Sequence, residues 1–244
     1  MGSAYAGYLE VRRLGRTPYA EAYQLQQELV AARIAGEVGD LCLLTEHEPV
    51  ITIGRGTRDL VEAGLGESEI PLVEVERGGE ATYHGPGQIV AYPILELGPE
   101  RRDLHRYLRD LEEVVIRVLS EVGVEAGRRD AWTGVWVGDR KVCSIGVAVR
   151  RWVTYHGLAL NLSTELGAFG TFKPCGLAPE VMGNVADHVE LPPVSLLFEV
   201  LIVKHLCEVF ELELPPVPQA KATDGATTLP PDDQGWPQLP ILPE

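Results

Sequence analysis

RGGEATYHGPGQIVAYP, residues 77–93, decides how this chain is read. It stacks glycines at 78, 79, 85 and 87 and prolines at 86 and 93 around one Tyr-His pair, Tyr83-His84. An apolar, β-favouring run begins at Ile89. A glycine-rich loop can cradle phosphates, but this one matches neither GxGxxG nor GxxxxGK[ST]. The dinucleotide pattern also needs its glycines ahead of a helix, and here a strand follows. Glycine has a second use: without a Cβ, it lets backbone approach a ligand closely. Pro86 stiffens the turn, so the loop would present Thr82, Tyr83 and His84 in fixed geometry beside bare backbone. A tight turn with a buried Tyr and His fits the composition equally well.

Outward from this stretch, strands and helices alternate irregularly. Tyr8 to Leu14 reads as a first strand. Thr17 to Val38 reads as a helix, with Thr17 as cap and Pro18 in the first turn. Short strands follow at 40–45 and 50–54, joined by the turn Glu46-His47-Glu48-Pro49. Leu72 to Glu76 leads into the glycine-rich stretch, and 89–95 leaves it. Leu104, Leu108, Leu111, Val115, Leu119 and Val122 recur every three or four residues, which predicts an amphipathic helix over 103–122. Residues 134–137 and 141–149 form a hairpin across Gly138-Asp139-Arg140. Tyr155 to Leu162 is a further strand, and Pro192 opens a last helix that ends near Phe210. Eight of the eighteen prolines then lie between Pro215 and Pro243. The expectation is one mixed α/β domain over residues 1–213, followed by a Pro-rich, extended or disordered tail over 214–244.

Composition narrows the function classes. At 244 residues with 45% hydrophobic content, the chain has the makings of one large globular domain. No apolar run is long enough to span a bilayer, and the N-terminus lacks the pattern of a secretory signal. Cysteines at 42, 143, 175 and 207 form no CxxC pair, which argues against a zinc knuckle or a disulfide framework. A cytoplasmic protein with reduced thiols is expected. A net charge of −15 opposes nucleic-acid binding. The pairs Arg101-Arg102, Arg128-Arg129, Arg140-Lys141 and Arg150-Arg151 are either solvated turn and strand-end charges or a basic rim for an acidic partner.

Three further stretches bear side chains with chemistry to offer. In RKVCSIGVAV (140–149), Lys141 follows a hairpin turn and precedes residues expected to be buried. A lysine there either loses solvation and becomes an acid–base group, or stays exposed at the strand end. In TYHGLALNL (154–162), Tyr155-His156-Gly157 echoes Tyr83-His84-Gly85, as a second wall of one cavity or as a structural histidine. In FKPCGL (172–177), Cys175 lies between Pro174 and Gly176 in a loop, whereas Cys42, Cys143 and Cys207 sit in apolar segments. Cys175 is therefore the best nucleophile candidate. It needs a neighbouring cation or base, for which Lys141, His84 and His156 are candidates.

Taken together, EHEPVITIGR (46–55), RGGEATYHGPGQIVAYP (77–93), RKVCSIGV (140–147), HGLALNL (156–162) and PCGL (174–177) resemble the lipoyl(octanoyl) transferases, the lipoate–protein ligase B family. The match keeps the family's order and spacing across nearly all of residues 5–210. The resemblance implies an α/β (α+β) fold with a mixed sheet, like the catalytic domain of biotin and lipoate protein ligases. It implies transfer of an octanoyl or lipoyl group from acyl carrier protein to a lysine on lipoyl domains. The acceptors would be the 2-oxoacid dehydrogenase complexes and the glycine cleavage H protein. Cys175 would accept the acyl group and Lys141 would be its partner. Arg77, Gly78, Gly79, Glu80, Ala81, Thr82, Tyr83 and His84 would line the substrate site, with Ser144, Ile145, Gly146, His156, Gly157, Leu158 and Ala159. No metal and no cofactor are implied. Two departures stand out: Cys143 where Ala is more usual, which is expected to be packed, and LAPEVMGN after Cys175, which lacks a Thr-Ser found in many members.

The residue chemistry agrees with that implication. Thioester exchange is nearly isoenergetic, so neither ATP nor a phosphate loop is required. The acceptor lysine is mostly protonated at neutral pH and must lose a proton to attack. Backbone N–H groups beside Lys141 or Cys175 could hold the oxyanion. Three rivals compete: an ATP-dependent lipoate ligase, a non-catalytic lipoyl-domain binding module, and a cysteine protease built on His156 and Asn161.

Overall fold

A computed structural model describes residues 7–57, 65, 68–172 and 178–216. Ten strands and three α-helices follow in the order β1 (Leu9–Thr17), α1 (Tyr19–Ala35), β2 (Asp40–His47), β3 (Val50–Ile53), β4 (Leu72–Glu74), β5 (Thr82–His84), β6 (Gln88–Ile94), α2 (Leu104–Glu121), β7 (Gly127–Arg129), β8 (Trp132–Val137), β9 (Arg140–Arg150), β10 (Val153–Asn161) and α3 (Ser195–Phe210). A mixed seven-stranded sheet has the order β1-β2-β6-β10-β9-β8-β7, and a three-stranded sheet has the order β4-β3-β5. The expected mixed α/β class is what the structure shows.

The central strands are apolar on both sides because both sides are covered. On β2, Cys42 and Leu44 join the core formed with α2 and α3, while Leu41 and Leu43 join the core under α1. On β6, Ile89 and Ala91 face α2 and α3, and Val90, Tyr92 and Ile94 face α1. The helix α2 turns Leu111, Val114, Val115 and Val118 into the first of these cores. Its start is set by Asp103, whose side chain accepts from the backbone N–H of His105 and Arg106.

Pro93 stands next to the last residue of β6 and has no N–H to donate. The Thr154 hydroxyl repairs the ladder there: it donates to the Pro93 carbonyl at 2.8 Å and accepts from Leu95 N–H at 3.0 Å. At the sheet's edge, Leu9 N–H donates to the Glu213 carbonyl and Glu213 N–H to the Gly7 carbonyl, each at 2.7 Å, so the two ends of the described domain lie side by side.

The structure corrects the sequence reading at several points. Thr17 is the last residue of β1, not a helix cap; its hydroxyl turns back to the Leu14 carbonyl, and Pro18 takes the N-cap position. Thr82–His84 is a strand, not a loop, because it pairs antiparallel with β3. The strand β7 carries no apolar signal and was not expected. The last helix starts at Ser195, not at Pro192. Most of the tail expected over 214–244 lies outside the described residues.

Leu111 is fully buried in the larger core. Leu111→Ala is expected to cost about 2–5 kcal/mol, and Asp103→Ala about 1 kcal/mol, in urea unfolding monitored by circular dichroism.

Candidate active site

The glycine-rich stretch folds over the α1-side face of the large sheet and closes a cavity with it. Gly78 N–H donates to the Val147 carbonyl at 2.9 Å, which ties the loop to β9. Gly87 closes the far side. It adopts φ +80°, its N–H reaches Glu46 Oε2 at 2.8 Å, and its carbonyl accepts from Leu162 and Ser163. A Cβ at Gly87 would overlap the Ser163 carbonyl, so only glycine can make this junction of β2, β6 and β10.

About 450 Å³ of empty space lies in this cavity, open solvent at its mouth included. Its walls are Arg77, Gly79, Thr82 and His84 from the glycine-rich stretch, Ser144, Ile145 and Gly146 from β9, and His156, Gly157, Leu158 and Ala159 from β10. Tyr19, Val90 and Tyr92 complete it. The echo of the two Tyr-His-Gly triplets thus reflects two walls of one cavity. Gly78, Glu80, Ala81 and Tyr83 are not in its lining. Strand alternation turns Tyr83 the other way, onto Phe169, while Thr82 and His84 face inward. No sequence pattern marked Tyr19, which enters from the first turn of α1. Val90 and Tyr92 were readable only as core-facing positions of a strand.

The cavity's polar groups are held in place. Arg77 Nη2 donates to the Thr52 carbonyl and hydroxyl, each at 2.8 Å, and its Nη1 donates to the Gly78 carbonyl at 3.0 Å. His84 Nδ1 bonds Gln88 Oε1 at 2.8 Å, and His47 Nε2 bonds the Tyr92 hydroxyl at 2.7 Å. His156 sits in the left-handed region, φ +56°, inside a strand, which is strain of the kind stored at functional sites. Its backbone N–H donates to the buried Gln26 side chain at 2.8 Å.

Burial keeps these histidines neutral. For His84, loss of solvation and the charge-repelling effects of His47 and Arg77 push the pKa well below its ordinary value. For His156, burial and then Arg77 lower it to about 4. Neither ring supplies the cation a cysteine nucleophile needs. Nor does Asn161 orient His156, as the protease reading requires: it accepts from Gln88 Nε2 and donates to the Gly183 carbonyl.

Lys141 is buried, with 3% of its surface exposed, which resolves the choice between strand-end and interior lysine. It lies three residues before Ser144 on β9, about 10 Å along the strand. Its backbone bridges to Met182, and its carbonyl accepts from Gly183. Cys175 lies outside the described residues. Cys42 and Cys143 are buried, which pushes both thiols up to about 12. Cys143 is packed, as expected. Among the described residues no group of three or more His, Cys, Asp and Glu side chains is arranged to hold a metal ion, and no helix is long and apolar enough to cross a membrane.

The basic pairs divide. Arg101 pairs with Glu211, Arg128 with Glu112 and Glu113, Arg102 stacks on Trp152 and Arg129 on Trp136. Arg150 and Arg151 are exposed at the β9–β10 turn.

The family model described as the lipoyl protein ligase A/B catalytic domain matches residues 18–205. The chain belongs to that family. It is 52% identical over 176 residues to an octanoyltransferase of Rubrobacter xylanophilus, across 69% of this chain and 79% of that protein. In fold it is similar to lipoate-protein ligase A bound with ATP, with a TM-score of 0.66 at 17% identity, across 86% of this chain and 88% of that one. It is also similar to the biotin protein ligase of Aquifex aeolicus in complex with biotin and ATP, with a TM-score of 0.52 at 12% identity, across 83% and 70% of the two chains. At these identities the two structures speak to the fold alone.

The neutral histidines have a pH consequence. A folded pKa depressed below the ordinary 6.5 means that the unfolded chain binds the proton first as pH falls. Stability is therefore full above pH 6.5 and declines toward pH 4. The His156 contribution to that slope is at most about 1.4 kcal/mol per pH unit, and His84 acts in the same direction. Urea unfolding between pH 7 and pH 5 should show the decline, and His156→Gln should flatten it by about one proton. A wild-type curve flat across that window would contradict this picture.

Proposed function

We propose that the chain is an octanoyltransferase: it moves an octanoyl or lipoyl group from acyl carrier protein to a lysine of lipoyl domains, through an acyl-enzyme on Cys175. The observation that carries this reading is the buried Lys141 at one end of β9, on the strand that further along forms a cavity wall, in a chain 52% identical to an octanoyltransferase. The described residues just after 173–177 support it. Arg140 donates to the Glu180 carbonyl and Met182 bridges Lys141, so the chain beyond the Cys175 segment is anchored at the Lys141 end of β9.

The chemistry follows from two groups. The Cys175 thiolate, favoured by the Lys141 ammonium, adds to the thioester carbonyl of the donor. Collapse of the tetrahedral intermediate breaks the bond to the donor sulfur, which leaves as a thiol with a proton from Lys141. The acceptor lysine gives its ammonium proton to water, and the neutral amine of Lys141 takes a second proton from it as it attacks the enzyme thioester. An amide forms, and Cys175 departs as thiolate. One thioester replaces another in the first half, and a thioester becomes a more stable amide in the second, so no nucleotide enters. The Val90, Ile145 and Leu158 wall would bind the chain at about 0.8 kcal/mol per buried CH₂.

The donor arrives on an acidic carrier domain, and the acceptors are the lipoyl domains of 2-oxoacid dehydrogenase complexes and the glycine cleavage H protein. Arg150 and Arg151, exposed at the β9–β10 turn, suit such partners. The catalytic unit is assigned to residues 1–213, with 214–244 outside it and the whole working in the cytoplasm.

Intact mass after mixing with octanoyl-acyl carrier protein, without ATP, tests the reading. An octanoyl adduct mapped to Cys175 that passes to apo lipoyl domain is expected. Cys175→Ser and Lys141→Ala should each lose at least about 10³-fold in transfer while the fold survives. Attachment that needs free lipoate and ATP would point instead to a ligase, and binding without any transfer to a non-catalytic module.

A further inference from the structure

Among the described residues, the cavity and Lys141 leave one buried charge unused: Glu112, on α2. Its side chain is fully buried. Its Oε2 accepts from Arg109 Nη1 at 2.8 Å and Arg128 Nε at 3.1 Å. Its Oε1 accepts from the backbone N–H of Gly134 at 2.9 Å, across 22 residues of sequence. A buried carboxylate is costly to hold, and a hydrophobic side chain would pack α2 against β8 without that cost.

Gly134 is where this carboxylate reaches the site. It has φ +134°, a conformation open to glycine. A Cβ there would overlap the Cys143 carbonyl, and it would lie 2.6 Å from Lys141 Cε and 3.3 Å from Lys141 Nζ. The missing side chain is therefore the slot in which the lysine's terminal carbons lie. Beside it the β8–β9 ladder slips. Trp136 pairs with Lys141, but Val135 pairs with Cys143, so Val142 is an extra residue. A bulge of this kind re-aims neighbouring side chains. Burial raises the Cys143 thiol; beside that larger effect Lys141 pulls it down and Glu112 pushes it up.

We propose that Glu112 and Gly134 form the seat of Lys141. Glu112 fixes the backbone of β8, Gly134 leaves the space, and together they hold the ammonium at one place. Glu112 is a positioning residue, acting on Lys141 through the Gly134 backbone. This rests on the Cys175–Lys141 reading above.

The test follows the Cys175 thiol directly. Iodoacetamide alkylation of the full chain is measured from pH 5 to 10, with Cys175 resolved by peptide mapping, alongside octanoyl transfer from octanoyl-acyl carrier protein. Gly134→Ala and Glu112→Ala, shown folded by circular dichroism, should lose about 100-fold in kcat with donor KM within about threefold. Their alkylation midpoint should rise toward the range of a free cysteine, as in Lys141→Ala. Glu112→Gln, which keeps an oxygen for Gly134 N–H, should recover most of the rate. If one of the two seat variants fails to fold, the other decides. If both fail, Glu112→Asp, which withdraws the oxygens by one methylene, takes their place. A folded seat variant with wild-type kcat and midpoint overturns the proposal while Lys141→Ala still shifts the midpoint. An unshifted midpoint in Lys141→Ala overturns the dyad itself.

Discussion

Strand β6 has to satisfy two cores and a cavity at once, and the architecture answers that demand. Its odd-numbered residues pack under α2 and α3, while Val90 and Tyr92 serve both the α1 core and the cavity wall. A strand buried on both faces has no solvent side on which to place chemistry. The polar side chains therefore come from elsewhere: the glycine-rich stretch folded over the sheet, the left-handed kink at His156, and the bulged end of β9. Pro93 adds a gap in the ladder, and the Thr154 hydroxyl closes it.

Burial and one bound cation set the electrostatics of the cavity. Among the described lining residues the permanent cation is Arg77, bound to backbone and hydroxyl oxygens of Thr52 and to the Gly78 carbonyl. That cation and burial together keep the nearby histidines uncharged. Neutral imidazoles and tyrosines stacked around an apolar wall tolerate an alkyl chain, whereas charged ones would hold water in its place. The buried Lys141 stands apart from this lining, at the far end of β9.

Much of this was legible from residue pattern. The long helices followed from periodicity, and the apolar runs of β2, β6 and β10 marked strands covered on both faces. Lys141 and the two Tyr-His-Gly triplets were picked out by their neighbours alone. What pattern could not convey was pairing. Thr82–His84 looks like part of a loop, because three residues carry no period, and only β3 alongside makes them a strand. Thr17 has the chemistry of a helix cap, but the parallel pairing of β1 with β2 claims it first. Tyr19 lies in the cavity because α1 crosses the sheet at that point, a fact of tertiary geometry. Glu112 would pass for any surface carboxylate of an amphipathic helix until Gly134 is found above it.

The pairing of Tyr8 with Glu213 has a consequence for how the domain can be handled. Both ends of the folded unit emerge together beside β1, at the outer edge of the sheet, with β2, β6 and β10 between them and β9. A short linker would be enough to join them, so the cyclic order of the elements is not tied to the place where the chain starts. New termini could be opened at the exposed Gly138-Asp139 turn, and cargo joined directly at Gly7 or just after Glu213 would hang from the same edge, three strands away from the lysine.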